Sequence, residues 1–123
     1  PDRHGVAPTH ALDEIRRLTA AFPDRIRLLA GHRDGALAAG AVLYETDTVV
    51  HAQYLAATAA GRECGLLDLV CEEAIVAAAA AGKWFDFGSS TESGGRVLNE
   101  GLAAYKEAFG ARTVVHDFYE IDL

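Results

Sequence analysis

The segment from Val49 to Ala81 constrains the fold of this chain more than any other part of the sequence. Its first part, Val49 to Ala56, is rich in apolar residues and predicts a β-strand. A loop of small residues follows and leads into a long helix, predicted from Gly65 to Ala81, that is apolar around most of its circumference. Such a helix must be buried against a sheet, and because it joins two strands it favours a parallel pair between them.

The loop between this strand and this helix has the composition of an anion-binding turn. Gly61 and Gly65 allow the backbone to approach a ligand closely, and the N–H groups at a helix start carry partial positive charge. Main-chain amides around residues 57 to 66 are therefore predicted to form a cradle for a phosphate or pyrophosphate. The alternative is a plain strand-to-helix turn, in which the small residues serve packing only.

The composition of the chain excludes several classes of protein. Its 123 residues are 50% hydrophobic, which predicts a single domain over residues 1–123 with one core. A net charge of −7, with 18 acidic residues against 11 lysines and arginines, argues against nucleic acid as a partner. Acidic residues interrupt the longest apolar stretch, Leu66 to Ala81, so we expect no membrane span and no membrane partner.

The two cysteines, Cys64 and Cys71, predict neither a disulfide nor a metal site. On one helix, seven residues apart, their backbones would lie about 10 Å from each other, which is beyond disulfide reach. A second cysteine pair is missing and the histidines are scattered, so we expect no metal. Free thiols agree with a reducing compartment, and we expect a cytoplasmic protein.

The remaining patterns complete the order α-β-β-β-α-β-α-β, an α/β fold with a mixed sheet. Asp34-Gly35 predicts the turn of a hairpin, and Thr9 is predicted to cap the first helix. The predicted helices are 10–22, 65–81 and 97–109; the predicted strands are 25–31, 36–46, 49–56, 84–87 and 113–121; and residues 89–95 predict a polar loop.

Three passages of the sequence carry a resemblance to a known family. They are Val50 to Ala57 (VHAQYLAA), Phe85 to Gly88 (FDFG) with the Ser/Thr/Glu/Gly loop after it, and Tyr105 to Gly110 (YKEAFG). Together they resemble the GNAT acyltransferase superfamily, and most closely the C-terminal GNAT domain of FemAB-like proteins. The resemblance implies a bulge in the strand before the loop, and a splay from the next strand that opens a cleft for the acyl donor.

The resemblance also implies what is missing from this chain. The usual first strand and first helix of a GNAT fold, which help to form the acceptor site, have no counterpart here. We therefore expect either a fragment, such as the C-terminal half of a longer protein, or a small version of the fold. In the second case a homodimer partner or a partner domain would complete the fold.

The donor implied by the resemblance is acetyl-CoA or another acyl-CoA. The family holds it with the pattern Gln/Arg-x-x-Gly-x-Gly/Ala, to which Arg62 and Gly65 match, whereas Leu67 stands where a small residue is expected. The residues assigned to the donor are Ala57, Thr58, Gly61, Arg62, Gly65 and Leu66.

Four residues are candidates for the chemistry of acyl transfer, in which the amine loses a proton and the leaving thiolate gains one. His51 is the predicted base, since histidine changes its charge near neutral pH, and Glu92 is a second candidate. The resemblance implies Tyr105 as general acid toward the thiolate, and Lys106 as a contact to the substrate or the developing charge. The structural alternatives are a histidine satisfied by a neighbouring strand, a capping loop, an aromatic core residue and a solvated lysine.

The acceptor is predicted to meet residues on two elements. Gln53 lies two residues from His51, so on a regular strand both side chains leave one face, and Tyr54 points to the opposite face as a core residue. Ser89 and Ser90 follow the short strand at its carboxyl end, where ligands bind in open α/β sheets. Asp86, between two phenylalanines, is expected to make a structural hydrogen bond.

These residues predict an N-acyltransferase that moves an acyl group from acyl-CoA to the amine of a small molecule or a peptide. One alternative is FemAB-type aminoacyl transfer from aminoacyl-tRNA to a peptide or cell-wall amine, which the acidic balance of the chain weakens. The other is a non-catalytic half-GNAT module that binds a partner or pairs with itself.

Overall fold

Four strands form a mixed sheet in the order β1-β2-β3-β4. The computed structural model describes residues 10–121, which divide into a unit that ends at Gly88 and a second unit that begins at Ser89. The elements of the first unit are α1 (Leu12–Ala21), β1 (Ile26–Arg33), β2 (Ala36–Glu45), β3 (Val49–Ala57), α2 (Ala59–Glu63), α3 (Leu66–Ala80) and β4 (Trp84–Asp86). Those of the second are β5 (Thr91–Glu92), β6 (Val97–Leu98) and α4 (Glu100–Glu107).

The strand directions confirm the predicted fold class. β1 and β2 are antiparallel and are joined by Asp34 and Gly35, which both have positive φ angles (52° and 79°), as the predicted hairpin turn requires. β2 and β3 are also antiparallel, whereas β3 and β4, which α3 connects, run parallel. The sheet is therefore mixed, as in an α/β fold of the GNAT type.

Helix α3 packs against one face of this sheet, as its apolar composition predicts. Most of the core side chains are small, which allows helix and sheet to approach closely. At Gly31 of β1, an added Cβ atom would lie 2.9 Å from the Leu66 side chain, which would have to shift, so the glycine lets the start of α3 lie close to β1. The buried core consists of Ala39, Ala41, Leu43, Val50, Ala52, Val70, Ala74 and Ala78.

A β-bulge interrupts β3 at Gln53. Val42 pairs with Tyr54 and Leu43 pairs with Ala52, so Gln53 is the extra residue between them. The bulge changes which residues face the core, because Ala52 is in the core before it and Leu55 packs against the core after it. A bulge in this strand is what the family resemblance implied, and the structure confirms it.

The parallel pairing of β3 with β4 is short. It covers Val49 to His51 on β3 and Trp84 to Asp86 on β4, and β3 then continues to Ala57. Within the part of the chain that the structure describes, no strand pairs with β3 on that side beyond His51. The ladder between the two strands thus ends at His51, and the predicted splay beyond it stays a prediction.

Several predicted boundaries are wrong in the second half of the chain. The last helix begins at Glu100 and not at residue 97, because the Asn99 side chain accepts from the N–H of Leu102 (2.9 Å) and caps it. Val97 and Leu98 instead form β6, paired with β5 inside the predicted polar loop. The predicted strand 113–121 forms no strand, since an apolar composition alone does not supply a partner edge for its backbone groups.

The first helix has no side-chain cap at its N-cap residue, Ala11, and the predicted cap Thr9 lies outside the described residues. In residues 10–121 no helix combines the length and the apolar character needed to cross a bilayer. The prediction of one domain over residues 1–123 stays a prediction.

Candidate functional site

His51 and Asp86 meet at the last pair of the parallel ladder between β3 and β4. The Nδ1 atom of His51 lies 2.7 Å from Oδ2 of Asp86, and the other carboxylate oxygen accepts a hydrogen bond from the N–H of Gly88 (2.7 Å). An ionised carboxylate can only accept, so Nδ1 donates in this pair, and in a neutral imidazole Nε2 then keeps its lone pair. The His51 side chain is 33% exposed, which leaves it accessible from outside the sheet.

Gly88 keeps one edge of this imidazole ring uncrowded. Its φ angle is +73°, which side chains rarely adopt, and an added Cβ atom would lie 3.3 Å from Cε1 of His51 and 4.0 Å from Nε2. Any other residue at this position would therefore be strained, and its Cβ atom would crowd the Cε1 edge of the ring. The FDFG motif contains this glycine, but its relation to His51 depends on the pairing of β3 with β4.

The bulge at Gln53 overturns the predicted grouping of side chains on β3. Tyr44 pairs with His51, and Val42 pairs with Tyr54, so His51 and Tyr54 leave the same face of the sheet. The prediction that Tyr54 points to the opposite face as a core residue is wrong. Gln53 is itself the inserted residue, so the two-residue period that grouped it with His51 does not run through this position.

Tyr44 is a candidate that the sequence interpretation missed. Its hydroxyl oxygen is buried and has no hydrogen-bond partner among residues 10–121. Burial raises the pKa of Tyr44, and the neighbouring Tyr54 and the Glu14 carboxylate raise it further. The short turn at Thr46 to Thr48 could have revealed this residue, because it fixes the register that sets Tyr44 opposite His51.

The predicted amide cradle is wrong for most of its length, because a short capped helix, α2, occupies the loop. Thr58 begins it: its N–H bonds the carbonyl of Ala38 (2.9 Å), and its hydroxyl accepts from the N–H of Gly61 (3.1 Å). A Cβ atom added at Gly61 would lie 2.1 Å from the Ala38 oxygen, so this glycine serves packing. The amides already bonded within the protein are those of Thr58, Gly61, Arg62, Cys64 and Gly65.

The first turn of α3 is the part of the loop that still suits an anion. Gly65 precedes it with a φ angle of +68°, and the N–H groups of Leu66 and Leu67 have no acceptor within the helix. Asp68 in the same turn stabilises the helix start and opposes an anion by its charge. The Arg62 guanidinium donates to the Ala57 carbonyl, close to this helix start.

An open groove of about 510 Å³ lies beside α2, at the end of the sheet where the β1–β2 hairpin turns. Arg33 lines it and donates a hydrogen bond to the Ala60 carbonyl (3.2 Å). Its volume falls in the range of small-molecule sites, roughly 300–1,000 Å³. The lining residues are Arg33, Asp34, Ala36, Leu37, Ala38, Thr58, Ala60 and Glu63.

The candidates of the second unit make hydrogen bonds and ring contacts within that unit. Lys106 is buried, at 8% exposure, and its Nζ donates to the Ser89 carbonyl (2.6 Å), so the alternative of a solvated lysine is wrong. Tyr105 packs edge-to-face on Phe109, with ring centroids 5.3 Å apart. Glu92 accepts a hydrogen bond from the side chain of Asn99 (2.7 Å).

The Ser90 carbonyl accepts from the Asn99 N–H (2.8 Å), so Ser90 lies beside the cap of α4. The cap of α4 is Asn99, which lies after the predicted loop 89–95. Across residues 10–121, no group of three or more His, Cys, Asp or Glu side chains is placed to hold a metal ion.

A buried helix covers a mixed sheet whose third strand is bulged and pairs in parallel with the fourth. This arrangement is the core of a GNAT-type fold. The family model of the acetyltransferase (GNAT) domain matches residues 2–107. The chain therefore belongs to the GNAT acetyltransferase domain family. A comparison with curated proteins gave no match.

Three solved structures share this fold. An aminoglycoside acetyltransferase from an uncultured soil metagenomic sample is 21% identical, with a TM-score of 0.56 over 80% of this chain and 68% of that one. An integron cassette protein from the mobile metagenome of V. cholerae is 12% identical, with a TM-score of 0.57 over 80% and 62%. A GNAT family acetyltransferase from Elizabethkingia anophelis with acetyl-CoA bound is 13% identical, with a TM-score of 0.53 over 84% and 70%. At these identities the likeness shows the fold alone.

Proposed function

We propose that this chain is an N-acyltransferase domain that transfers an acyl group from acyl-CoA to an amine. The observation that carries the proposal is the hydrogen-bonded pair of His51 and Asp86 at the end of the β3–β4 ladder. Membership of the GNAT acetyltransferase family supports it, as does the neighbour from Elizabethkingia anophelis that has acetyl-CoA bound.

The donor is proposed to lie along the free side of β3 beyond His51. Backbone groups on an unpaired strand edge can hydrogen-bond an extended ligand, as they would bond a further strand. The phosphates would then reach the first turn of α3, where the amides of Leu66 and Leu67 lack acceptors within the helix. Arg62 adds positive charge there, and the predicted donor contacts of Ala57, Thr58, Gly61 and Gly65 become packing and capping contacts around that turn.

His51 is the proposed base. The amine nitrogen attacks the thioester carbon, the C–N bond forms and the C–S bond breaks, and the proton lost by nitrogen goes to Nε2 of His51. The electron pair of the broken bond leaves with sulfur as the CoA thiolate, and the imidazolium then returns its proton, through water, to that thiolate. Asp86 holds the ring and stabilises the imidazolium, so it is a positioning residue. The roles predicted for Glu92, Tyr105, Lys106, Ser89, Ser90 and Gln53 stay predictions, and the step described here does not depend on them.

The identity of the acceptor is a separate part of the proposal. An aminoglycoside is one candidate, since one structural neighbour is described as an aminoglycoside acetyltransferase. Four further expectations stay predictions. They are closeness to FemAB-like proteins, aminoacyl transfer from aminoacyl-tRNA, completion of the fold by a second copy or a partner domain, and a cytoplasmic location.

A non-catalytic binding module is the second candidate function. The observation that favours it is that five amides of the loop already bond within the protein, while Asp68 adds a negative charge to the helix start. Such a module would keep the fold and bind acetyl-CoA weakly or not at all.

Titration of the chain with acetyl-CoA by isothermal calorimetry separates the two candidates. We expect binding by the wild-type chain and release of CoA thiol in the presence of a primary amine. His51→Gln should retain acetyl-CoA binding within about threefold and lose transfer by about 10²–10⁴-fold, the range for removal of a general base. His32→Gln, the same change at an exposed position of β1, is the matched control and should behave as wild type.

Two results would contradict the enzymatic proposal. A folded wild-type chain that gives no heat and no thermal shift with acetyl-CoA favours the binding module. Full transfer activity in His51→Gln refutes the role of His51, even if the chain is an acyltransferase.

A further inference from the structure

The two tyrosines on the His51 face of the sheet differ in how their hydroxyl groups are satisfied. The Tyr54 hydroxyl is hydrogen-bonded to His10, through its backbone N–H (3.0 Å) and its ring Nδ1 (2.6 Å). The Tyr44 hydroxyl is buried and has no such partner in residues 10–121. Buried tyrosine hydroxyl groups are normally paired, because an unpaired one keeps its full desolvation cost. A hydroxyl of this kind is one that a ligand can satisfy.

Tyr44 lies directly opposite His51 in the β2–β3 ladder. Opposite residues have Cβ atoms about 4.5–5.5 Å apart on one face of the sheet, so a small group can contact both side chains. Asp86 engages Nδ1 of His51, so Nε2 is the ring nitrogen available to a ligand. A neutral primary amine can donate one N–H to Nε2 and the other to the Tyr44 oxygen, and its lone pair stays free for the thioester carbon.

Charge near Tyr44 bears on which amine fits. The effects of burial, Tyr54 and the Glu14 carboxylate on the pKa of Tyr44 all keep its hydroxyl neutral, so its oxygen remains a hydrogen-bond acceptor for an amine. Glu14 on α1 is half-buried and acts electrostatically on Tyr44, which brings a negative charge to this face. A net charge of −7 over the chain also favours a cationic ligand.

We propose that Tyr44 binds the acceptor amine beside His51, and that this acceptor carries a second positive charge near Glu14. The assignment rests on the proposed acyl transfer, which it deepens by naming an acceptor contact and an acceptor class. A diamine with a short aliphatic spacer is the simplest compound of that class.

The test compares Tyr44→Phe with Tyr54→Phe, two variants that each lose one hydroxyl group from the same face. Tyr44→Phe should leave acetyl-CoA affinity and the melting temperature unchanged or slightly improved, and should raise the KM for 1,4-diaminobutane at least tenfold. Tyr54→Phe loses the bond to His10, so it should lower the melting temperature and leave that KM unchanged.

Three amines of matched length test the charge of the acceptor. At the end away from the reacting amine, 1,4-diaminobutane carries a positive charge, butylamine carries no charge, and 4-aminobutyrate carries a negative charge. We expect kcat/KM to fall at least tenfold at each step along that series in the wild-type chain. Equal values for the three amines, or a preference for 4-aminobutyrate, would overturn the acceptor class.

Direct titration with 1,4-diaminobutane keeps the test independent of turnover. Suppose that the wild-type chain binds the diamine, that Tyr44→Phe binds it at least tenfold more weakly, and that no amine is acylated. The proposed reaction then fails, whereas the role of Tyr44 in binding the amine stands. If the diamine binds Tyr44→Phe as it binds wild type, or does not bind the folded wild-type chain, the assignment of Tyr44 is overturned.

Discussion

Replacement of Gly61 by alanine should destabilise the chain, although alanine is the better helix former. The Cβ atom of an alanine here would lie 2.1 Å from the Ala38 carbonyl oxygen, at least 0.9 Å closer than the 3.0 Å that real Cβ atoms keep. The obstacle is backbone of the central strand β2, so α2 must move away. That movement strains the bond from the Thr58 N–H to the same oxygen (2.9 Å).

The net effect can be estimated from three terms. Overpacking costs about 1–3 kcal/mol, and a weakened hydrogen bond costs about 0.5–1.5 kcal/mol. Alanine returns about 1 kcal/mol through its higher helix propensity. We therefore expect Gly61→Ala to lower the free energy of unfolding by about 2 kcal/mol.

Urea denaturation followed by circular dichroism measures this change, and Gly101→Ala is the matched control. Gly101 is also a helical glycine, but an added Cβ atom there meets only Asn99 at an ordinary 3.8 Å. Gly101→Ala should raise stability by up to about 1 kcal/mol. If Gly61→Ala raises stability by a similar amount, the reasoning that Gly61 serves packing is refuted. Because α2 leads into the first turn of α3, acetyl-CoA affinity should fall in Gly61→Ala and not in Gly101→Ala.

Three further predictions concern charged side chains. Asp86→Asn should lower kcat by about 10²–10⁴-fold with acetyl-CoA affinity unchanged, because the ring of His51 loses its orienting acceptor; equal loss of affinity would contradict a positioning role. Lys106→Met should lower the melting temperature and cost about 1.5–3 kcal/mol, because the buried ammonium bonds the Ser89 carbonyl; unchanged denaturation curves would refute this. Arg25 lowers the pKa of Asp47, mainly through a hydrogen bond and also through its charge. The pair therefore stabilises the fold at pH values above the ordinary pKa of the carboxyl group. This contribution is lost as the pH falls through the lowered pKa. Melting temperatures of wild type and Asp47→Asn should therefore differ slightly at neutral pH and converge in acid, and a gap that widens in acid would contradict this.

Local patterns predicted the sheet and its covering helix well, because each of those elements carries its own physical cause. The Asp34-Gly35 pair has the backbone freedom that a tight hairpin needs, and both residues adopt positive φ angles. The apolar composition of α3 requires burial, and its position between two strands leads to the parallel pair. Errors began where the outcome depends on partners far away, as in residues 113–121, which have no strand to pair with among the described residues.

The candidate site shows the same division. The sequence indicated His51 as a base and Asp86 as a hydrogen-bonding carboxylate, but not that residues 35 apart would meet at 2.7 Å. It indicated a loop of small residues, but not that Thr58 would cap a helix there and use the amides that a phosphate would need.

The sequence by itself determined the four strands of the main sheet and the helix buried against it, because those properties follow from residues close together in the chain. Only the tertiary structure decided which side chains share a face. One extra residue at Gln53 moves Tyr54 to the face of His51, and the register of β2 with β3 sets Tyr44 opposite that histidine. Strand register depends on long-range pairing, and a shift of a single residue reverses the direction of every side chain beyond it.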